Sequence, residues 1–592
     1  MKWIIASLTA AVLLAQSQSQ YAPPPATFVP TPEQRGQIEV RIAAIKSTDP
    51  DIQVYRKAGE WILRHPEEFY TPAYYTYTLQ VLDEGIFRSK MAEKGEKPWT
   101  KEKGRLGRGY RSRVDGSVQP YTVTIPDSYD PAKPVRLDVV LHGRASTMNE
   151  ASFLVPKKAT FTGNYIQLEV FGRTNNAYRW GGETDVFEAI ESVRANYNIN
   201  PKQIVLRGFS MGGAGAWHIG LHYPDRWAAV EAGAGFTETV RYAKISDAPA
   251  YQLSTMHIYD AVDYALNAFN VPMVGYGGEI DPQLQASENI KTQLVTEGLK
   301  PTDMKVIFLV GPKTAHKFHP DSKQESDHFI DVMLDRGRPN PDQIRFVTYT
   351  TRYDQCDWLK IDELEKHYTR AEIDATKTGK GIKIKTTNVA RLTIDKASTP
   401  EIDGQQMPSA TSFEKRSGKW IVAGKTKGLR KQHALQGPID DAFMDAFLCV
   451  NPTKQFATEY AKWMRADLRV KEASQVTQQD IAANNLILFG DPTNNKLIAK
   501  IANKLPIQWK KGQILLDGKT YSASEHTLAL IYPNPLNPKK YVVLNSGYTF
   551  HGDDFKGTNA LLYPRLGDYA IIRRADNKVV AAGLFTDNWQ LH

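Results

Sequence analysis

The chain has 592 residues, a formal net charge of +9, and a hydrophobic content of 41% that includes 10% aromatic residues. This composition excludes a wholly disordered chain, and the length predicts about two to four domains. No zinc-finger, RNA-binding or helix-turn-helix signature is present, so we expect no nucleic-acid partner.

The first residues resemble an export signal. Lys2 supplies a positive charge, residues 3–14 form a short apolar stretch, and Ala15-Gln16-Ser17 is a small-x-small cleavage site. The apolar stretch is too short to span a bilayer, and no other segment approaches the length needed. We therefore expect a signal peptide at residues 1–17 and a secreted or periplasmic protein that is not an integral membrane protein.

A Pro-rich linker and a helical segment follow, over residues 18–105. Helices are predicted from Pro32 to about Lys46, over 51–63 and over 73–93. Ten Lys or Arg residues and only three Glu residues lie between Arg88 and Arg113. Such a run is typical of a solvated basic linker or strand edge, and the alternative is a surface that attracts an anionic polymer.

Strands and helices alternate over residues 106–340, after a hairpin signature around Asp115-Gly116. Apolar strand segments are predicted at 137–141, 165–170, 204–206, 227–231, 272–276 and 305–310. Alternation of this kind predicts an α/β domain, with a mostly parallel sheet flanked by helices.

The pattern of predicted secondary structure changes after residue 340. Short strands without intervening helices predict a β-rich, sandwich-like region over residues 341–450. Mixed helices and strands predict a small α/β region over residues 451–592. Cys356 and Cys449, the only cysteines, both lie in this part of the chain. The sequence leaves open whether they form a disulfide or remain buried thiols.

The most informative segment is Gly208-Phe209-Ser210-Met211-Gly212-Gly213. A short buried strand precedes it and a predicted helix over 214–223 follows, which together are typical of a nucleophile elbow. The flanking glycines are needed because a Cβ at either position would crowd the neighbouring strand and helix. The alternative is a glycine-rich turn in which Ser210 has no chemical role.

A serine hydroxyl needs a neighbouring base, and the base needs an orienting carboxylate. The loops after the strands at 272–276 and 305–310 offer both, and they leave the same edge of the predicted sheet as the elbow. We predict Asp281 as the acid, because the longer Glu279 would require a different loop, although Asp281 could instead cap the next helix. We predict His316 as the base because it is closer to the strand end than His319.

Oxyanion stabilisation requires preset N–H donors. The backbone of Met211, at the start of the elbow helix, is one candidate, and the backbone of Arg144 in His142-Gly143-Arg144 is the other. His142, His319 and Trp180 are candidates for facing the substrate. Trp180 belongs to a polar-aromatic loop at 171–183, whose alternative role is to pack on its own aromatic residues.

Together, these motifs resemble the α/β-hydrolase superfamily. Within it, the elbow and the following Ala214-Gly215-Ala216-Trp217 resemble the catalytic domain of prolyl oligopeptidase-like serine peptidases and the related secreted feruloyl and acetylxylan esterases. The resemblance implies a Ser210–Asp281–His316 triad and an acyl-enzyme mechanism.

The resemblance implies a serine hydrolase that requires no metal or organic cofactor. Its substrate would be a peptide or an ester, including polymeric substrates. Prolyl oligopeptidases carry an N-terminal β-propeller, and its absence here favours the alternative of an esterase acting on polysaccharide-linked esters. A second alternative is a non-catalytic hydrolase-fold binding protein.

Overall fold

Residues 21–591 are described by the computed structural model, except 158–160, 301–303, 336, 339, 380, 427 and 511. The predicted signal peptide at residues 1–17 therefore lies outside the described residues. The chain divides into two compact units. The first comprises Met1–Ala216, Thr458–Asp467 and His551–Leu562, and the second comprises Trp217–Ala457, Leu468–Phe550 and Tyr563–His592. No helix among the described residues is long and apolar enough to cross a membrane.

The first unit begins with the predicted helices, which are α1 (Pro32–Ala44), α2 (Pro50–Arg64) and α3 (Pro72–Glu93). A proline at the start of each helix fixes φ where no helical hydrogen bond is lost. Thr31 and Gln34 form a reciprocal capping box at the start of α1. The helices share one buried apolar core, to which Ile52, Val81 and Leu82 contribute.

The strands and helices of the first unit that follow are β1 (Gly104–Arg111), β2 (Val118–Ile125), β3 (Val135–Leu141), α4 (Glu150–Leu154), β4 (Ile166–Val170), α5 (Gly181–Asn196) and β5 (Ile199–Phe209). β1, β2 and β4 are antiparallel neighbours in this order, whereas β3 pairs in parallel with both β4 and β5. The carboxyl ends of β3, β4 and β5 therefore meet at one edge, which is where ligand-binding loops of such sheets lie.

The basic run at 88–113 is not a continuous solvated surface. Arg88 is buried, with its guanidinium over the ring of Trp99 and its Nε 2.7 Å from Glu84. Arg108 is also buried, and it donates to Asp51 of α2 over 2.8 Å. Arg88 of α3 also donates to the Gly107 carbonyl of β1 over 2.8 Å. Since both arginines hold helices against β1, the part of this charge that they carry is not available for an anionic polymer.

Helix α6 (Met211–His222) begins in the first unit and ends in the second. The second unit continues with β6 (Ala229–Gly233), α7 (Ala250–Met256), β7 (Met273–Gly278), α8 (Gln285–Thr296), β8 (Val306–Gly311) and α9 (Pro320–Asp335). β6, β7 and β8 are parallel neighbours in this order. Asp281 follows β7 and His316 follows β8, so both leave the carboxyl ends of adjacent parallel strands, as predicted.

Two small sheets form the next region, as the prediction of a sandwich required. Their strands are β9 (Gln343–Thr348), β10 (Gln355–Cys356), β11 (Leu359–Leu364), β12 (Ala371–Thr378), β13 (Gly381–Thr387), β14 (Val389–Ser398), β15 (Glu401–Ile402), β16 (Gln405–Gln406), β17 (Ala410–Arg416) and β18 (Lys419–Val422). One sheet has the order β10-β11-β14-β17-β18 and the other β16-β15-β13-β12-β9. Phe346 from one sheet and Ile361 from the other lie in the same buried core.

The last region mixes helices and strands, also as predicted. Its elements are β19 (Phe447–Val450), α10 (Lys454–Trp463), β20 (Val470–Lys471), α11 (Gln478–Ala483), β21 (Asn485–Leu488), α12 (Lys496–Ile501), β22 (Gln508–Lys510), β23 (Gln513–Leu516), β24 (Lys519–Ser522), β25 (His526–Asn534), β26 (Asn537–Leu544), α13 (Gly552–Lys556), β27 (Tyr569–Arg573) and β28 (Val579–Gly583). Cys356 and Cys449 are buried free thiols and form no disulfide. Burial raises the pKa of both thiols.

Candidate active site

Ser210 occupies a strained turn between β5 and α6 in the first unit. Its φ is +60°, in the left-handed region that few non-glycine residues adopt. A Cβ at Gly208 would lie 2.0 Å from the carbonyl oxygen of Gly212, and a Cβ at Gly212 would lie 1.9 Å from that of Leu141. Both glycines are therefore required for the turn to close, as the elbow prediction stated.

The turn after β3 lies directly beside Ser210. A Cβ at Gly143 would be 3.5 Å from the Ser210 Cβ and 3.4 Å from the carbonyl oxygen of Phe209. Arg144 is the next residue along this turn, and Met211 begins α6 on the other side of the serine. The sequence therefore placed both oxyanion candidates on segments that adjoin the Ser210 backbone.

The second unit brings Asp281 and His316 into direct contact. The Asp281 Oδ2 lies 2.7 Å from the His316 Nδ1, and Asp281 is buried at 5% exposure. The other oxygen of this carboxylate accepts the Gln283 backbone N–H over 2.9 Å, so Asp281 also caps the short 3-10 helix Pro282–Leu284. The two readings of Asp281 weighed from sequence are thus compatible. The side chain of His316 is 44% exposed, as a base that meets substrate requires.

Hydrogen bonds join the loop after β7 to the loop after β8. The Ile280 N–H donates to the Thr314 carbonyl over 3.1 Å, and the exposed Glu279 carboxylate accepts the Lys313 N–H over 2.6 Å. At Gly278, a Cβ would lie 2.3 Å from the Thr314 carbonyl oxygen, so only glycine allows the loops to approach this closely. Glu279 therefore braces the second loop, a role that its sequence position gave no reason to expect.

Tyr276 contacts the candidate site, although no sequence motif pointed to it. Its hydroxyl accepts the His319 N–H over 2.7 Å and donates to the Lys317 carbonyl over 2.8 Å. Its ring stacks on Phe318, with centroids 4.2 Å apart. Tyr276 thus holds the chain on the C-terminal side of His316. In sequence it is an aromatic residue at a strand position, and nothing in that pattern indicates this contact.

The remaining predicted residues differ in their surroundings. The His319 Nδ1 lies 4.0 Å from the Asp321 carboxylate, so its ring has a different neighbour from that of His316. His142 contacts backbone carbonyls at both ring nitrogens, those of Gly143 and Phe171. These backbone contacts hold the His142 ring in place.

Trp180 requires a correction. It is 1% exposed, which leaves no surface for a substrate to contact, so a substrate-facing role does not fit. It sits at the start of α5 with a φ of +58°, and the nearby Tyr178 ring packs against Gly172 of the same loop. This is the alternative that the sequence analysis left open for the loop. No group of three or more His, Cys, Asp or Glu side chains in the described ranges is arranged to hold a metal ion.

Part of the chain is similar to a known protein family. Residues 173–330 match the prolyl oligopeptidase family. No curated protein matches the chain significantly.

Solved structures similar to part of the chain include an S-formylglutathione hydrolase from Staphylococcus aureus, at 16% identity and a TM-score of 0.29, covering 39% of this chain and 98% of that one. A ferulic acid esterase is also similar, at 16% identity and a TM-score of 0.28, covering 39% and 97%. A puromycin-hydrolyzing peptidase from Mycobacterium tuberculosis has 16% identity and a TM-score of 0.27, covering 38% of each chain.

The family match covers the elbow, Asp281 and His316, on which the resemblance was based, whereas His142-Gly143, which also carried it, lies outside the matched residues. It confirms the predicted fold class. Residues 173–330 are therefore similar to the prolyl oligopeptidase family, and this match supports a serine hydrolase of the α/β-hydrolase superfamily.

Proposed function

We propose that the protein hydrolyses a peptide or ester bond through a Ser210–His316–Asp281 triad and an acyl-enzyme intermediate. The observation that carries the proposal is the 2.7 Å contact between the buried Asp281 carboxylate and the exposed His316 imidazole. A carboxylate at Nδ1 orients the ring and stabilises its protonated form, which leaves Nε2 to act as the base.

The proposed reaction assigns one role to each group. Ser210 Oγ attacks the substrate carbonyl while His316 Nε2 takes its proton. The backbone N–H groups of Met211 and Arg144 stabilise the oxyanion that forms. His316 then gives the proton to the leaving amine or alcohol, and the acyl group remains on Ser210. A water molecule, deprotonated by His316, releases the acid and restores the serine.

Labelling with a fluorophosphonate probe tests this assignment. We expect the wild type to label, Ser210→Ala to lose labelling entirely and His316→Ala to lose it almost entirely. His319→Ala is the matched control and should label normally, because its ring does not contact Asp281. An unlabelled wild type would favour a non-catalytic binding protein, and loss of labelling only in His319→Ala would reassign the base.

An esterase activity is the second candidate, and one observation favours it. The described chain before β1 is helical where prolyl oligopeptidases carry a β-propeller. Because no propeller in the described chain before β1 would select oligopeptides, a polysaccharide-linked ester is a candidate substrate. Turnover of p-nitrophenyl acetate, methyl ferulate and a Gly-Pro-anilide separates the candidates. Turnover of the anilide alone would remove the esterase.

We also propose that the protein is exported. The proposal is supported by the charged, apolar and small-residue segments within residues 1–17. N-terminal sequencing of protein recovered outside the cytoplasm should show a chain that begins near residue 18. A chain that retains Met1 and stays in the cytoplasm would contradict the proposal.

A further inference from the structure

Two C-terminal segments belong to the same unit as Ser210, although the sequence analysis assigned them to an accessory region. They are Thr458–Asp467 and His551–Leu562. We call the second one the C-terminal wall. Both form hydrogen bonds with the loop at 171–183, and the C-terminal wall also binds Arg144 in the turn after β3.

The Arg144 side chain is the main anchor of the C-terminal wall. Its guanidinium donates to the carbonyls of Phe555 and Gly557 over 2.8 and 3.1 Å, and to the Asn559 Oδ1 over 2.9 Å. It also donates to the Tyr21 carbonyl over 2.8 Å. The residue whose backbone is an oxyanion candidate therefore uses its side chain to hold the wall in place.

The wall also contacts the loop at 171–183. Asn559 Nδ2 donates to the Asn175 carbonyl over 2.7 Å, and Arg179 donates to the Leu562 carbonyl over 2.8 Å. Asn175 in turn exchanges hydrogen bonds with the backbone of Ala145, over 2.9 and 3.0 Å. Asn559 thus forms hydrogen bonds both with Arg144, in the turn after β3, and with Asn175, in the loop at 171–183.

The loop that the wall supports is strained. Five of its non-glycine residues have a positive φ, namely Arg173, Thr174, Ala177, Tyr178 and Trp180. Such conformations cost about 1–3 kcal/mol each and persist only where the surroundings impose them, often at functional sites. The buried guanidinium of Arg173 provides part of this restraint, because it pairs with Asp115 and Asp185 and donates to the Met464 carbonyl.

The wall is joined to the turn beside the nucleophile. A Cβ at Gly143 would lie 3.5 Å from the Ser210 Cβ, and Arg144 is the next residue in the chain. The Arg144 guanidinium therefore links the wall to the turn that adjoins the serine. Thr558 lies between two residues that Arg144 holds, Gly557 and Asn559, and it is only half-buried.

We propose that the C-terminal wall limits the size of substrates that reach Ser210, with Asn559 as the specificity-determining residue that fixes its position. The proposal rests on Ser210 being the nucleophile. In this proposal, residues 551–562 act as a substrate filter that comes from the C-terminal part of the chain.

The test compares labelling rate constants for a compact fluorophosphonate with a short alkyl chain and one with a dodecyl chain. Asn559→Ala removes hydrogen bonds on both sides of the wall, and we expect the dodecyl-to-compact ratio to rise about three- to tenfold. Thr558→Trp adds bulk at the same place and should lower the ratio about tenfold or more. Asp553→Trp, at a fully exposed position of the same segment, should leave the ratio within about twofold of the wild type.

The outcomes separate this inference from the proposed function. A wild type that labels normally, with a ratio unchanged in both wall variants, would overturn the filter and leave the triad intact. Equal slowing of both probes would also overturn it, because that result indicates a structural role alone. An unlabelled wild type would remove the triad and the filter together. Thermal unfolding of each variant confirms that it is folded.

Discussion

The elbow at Ser210 and the acid–base loops at 279–319 reach their geometry by different means. The elbow closes because Gly208 and Gly212 leave space that any Cβ would fill. The acid–base loops are held by hydrogen bonds between residues far apart in sequence, such as Glu279 with Lys313. Any side chain at Gly208 or Gly212 should therefore disrupt the elbow. By contrast, removing one of several hydrogen bonds between the acid–base loops should reduce activity only in part.

The largest effect is expected from Gly212→Ala. The new Cβ would meet the Leu141 carbonyl oxygen at 1.9 Å, and backbone cannot move aside as a flexible side chain can. We expect little folded protein and no fluorophosphonate labelling, measured by circular dichroism and by gel fluorescence. Gly36→Ala is the matched control, because a Cβ at this position in α1 meets nothing within 4 Å. It should label normally, and normal labelling of Gly212→Ala would show that the elbow does not depend on a missing Cβ.

The next largest effect is expected from Asp281→Asn. Asparagine can still accept the Gln283 N–H, so the loop should keep its fold, but it no longer carries the charge that stabilises a protonated His316. By analogy with the same change in serine proteases, we expect kcat to fall about a thousandfold or more. Steady-state kinetics on an active ester measures this fall. An activity within tenfold of the wild type would mean that another carboxylate orients the base.

The difference between a local turn and loops held by long-range hydrogen bonds also explains how much could be predicted from sequence. The elbow is local, and Gly-x-Ser-x-Gly between a strand and a helix indicates both its shape and its reactive atom. Asp281 and His316 could be found because parallel topology brings the ends of β7 and β8 together. Tyr276, Glu279 and the bridge made by Asn559 could not be found, since each depends on a hydrogen bond between segments whose approach no periodicity encodes.

A smaller effect is expected from Tyr276→Phe, which tests the hydrogen bonds that hold the acid–base loops. The change removes one hydroxyl that serves both Lys317 and His319, and the remaining bonds between the loops persist. We expect kcat to fall about three- to tenfold with little change in KM, because the loop positions the base and does not bind substrate. Tyr251→Phe removes a comparable hydroxyl that donates to the Arg565 carbonyl, and it should leave kcat unchanged. Equal losses in both variants would indicate a general loss of stability.

The smallest effect is on the pH dependence of stability, where His142 of the first unit and His257 of the second should act in opposite directions. Burial lowers the pKa of His142 below its usual 6.5, so the unfolded chain takes up its proton first and stability is lost as the pH falls. Burial also opposes the charge on His257, but Asp263, 2.6 Å from its Nδ1, outweighs this and raises its pKa. Its contribution is present at low pH and is lost as the pH rises through the folded-state pKa.

Urea unfolding at about pH 7, 6 and 5 distinguishes these signs. His142→Asn cannot take up the proton, so its stability should fall less than that of the wild type on acidification. His257→Asn loses the group that gains stability at low pH, so its stability should fall more. Because the two histidines report on different units, parallel pH profiles for both variants would show that neither environment is as described. Opposite shifts would show that the first unit opposes protonation of its histidine, whereas in the second unit a carboxylate favours it.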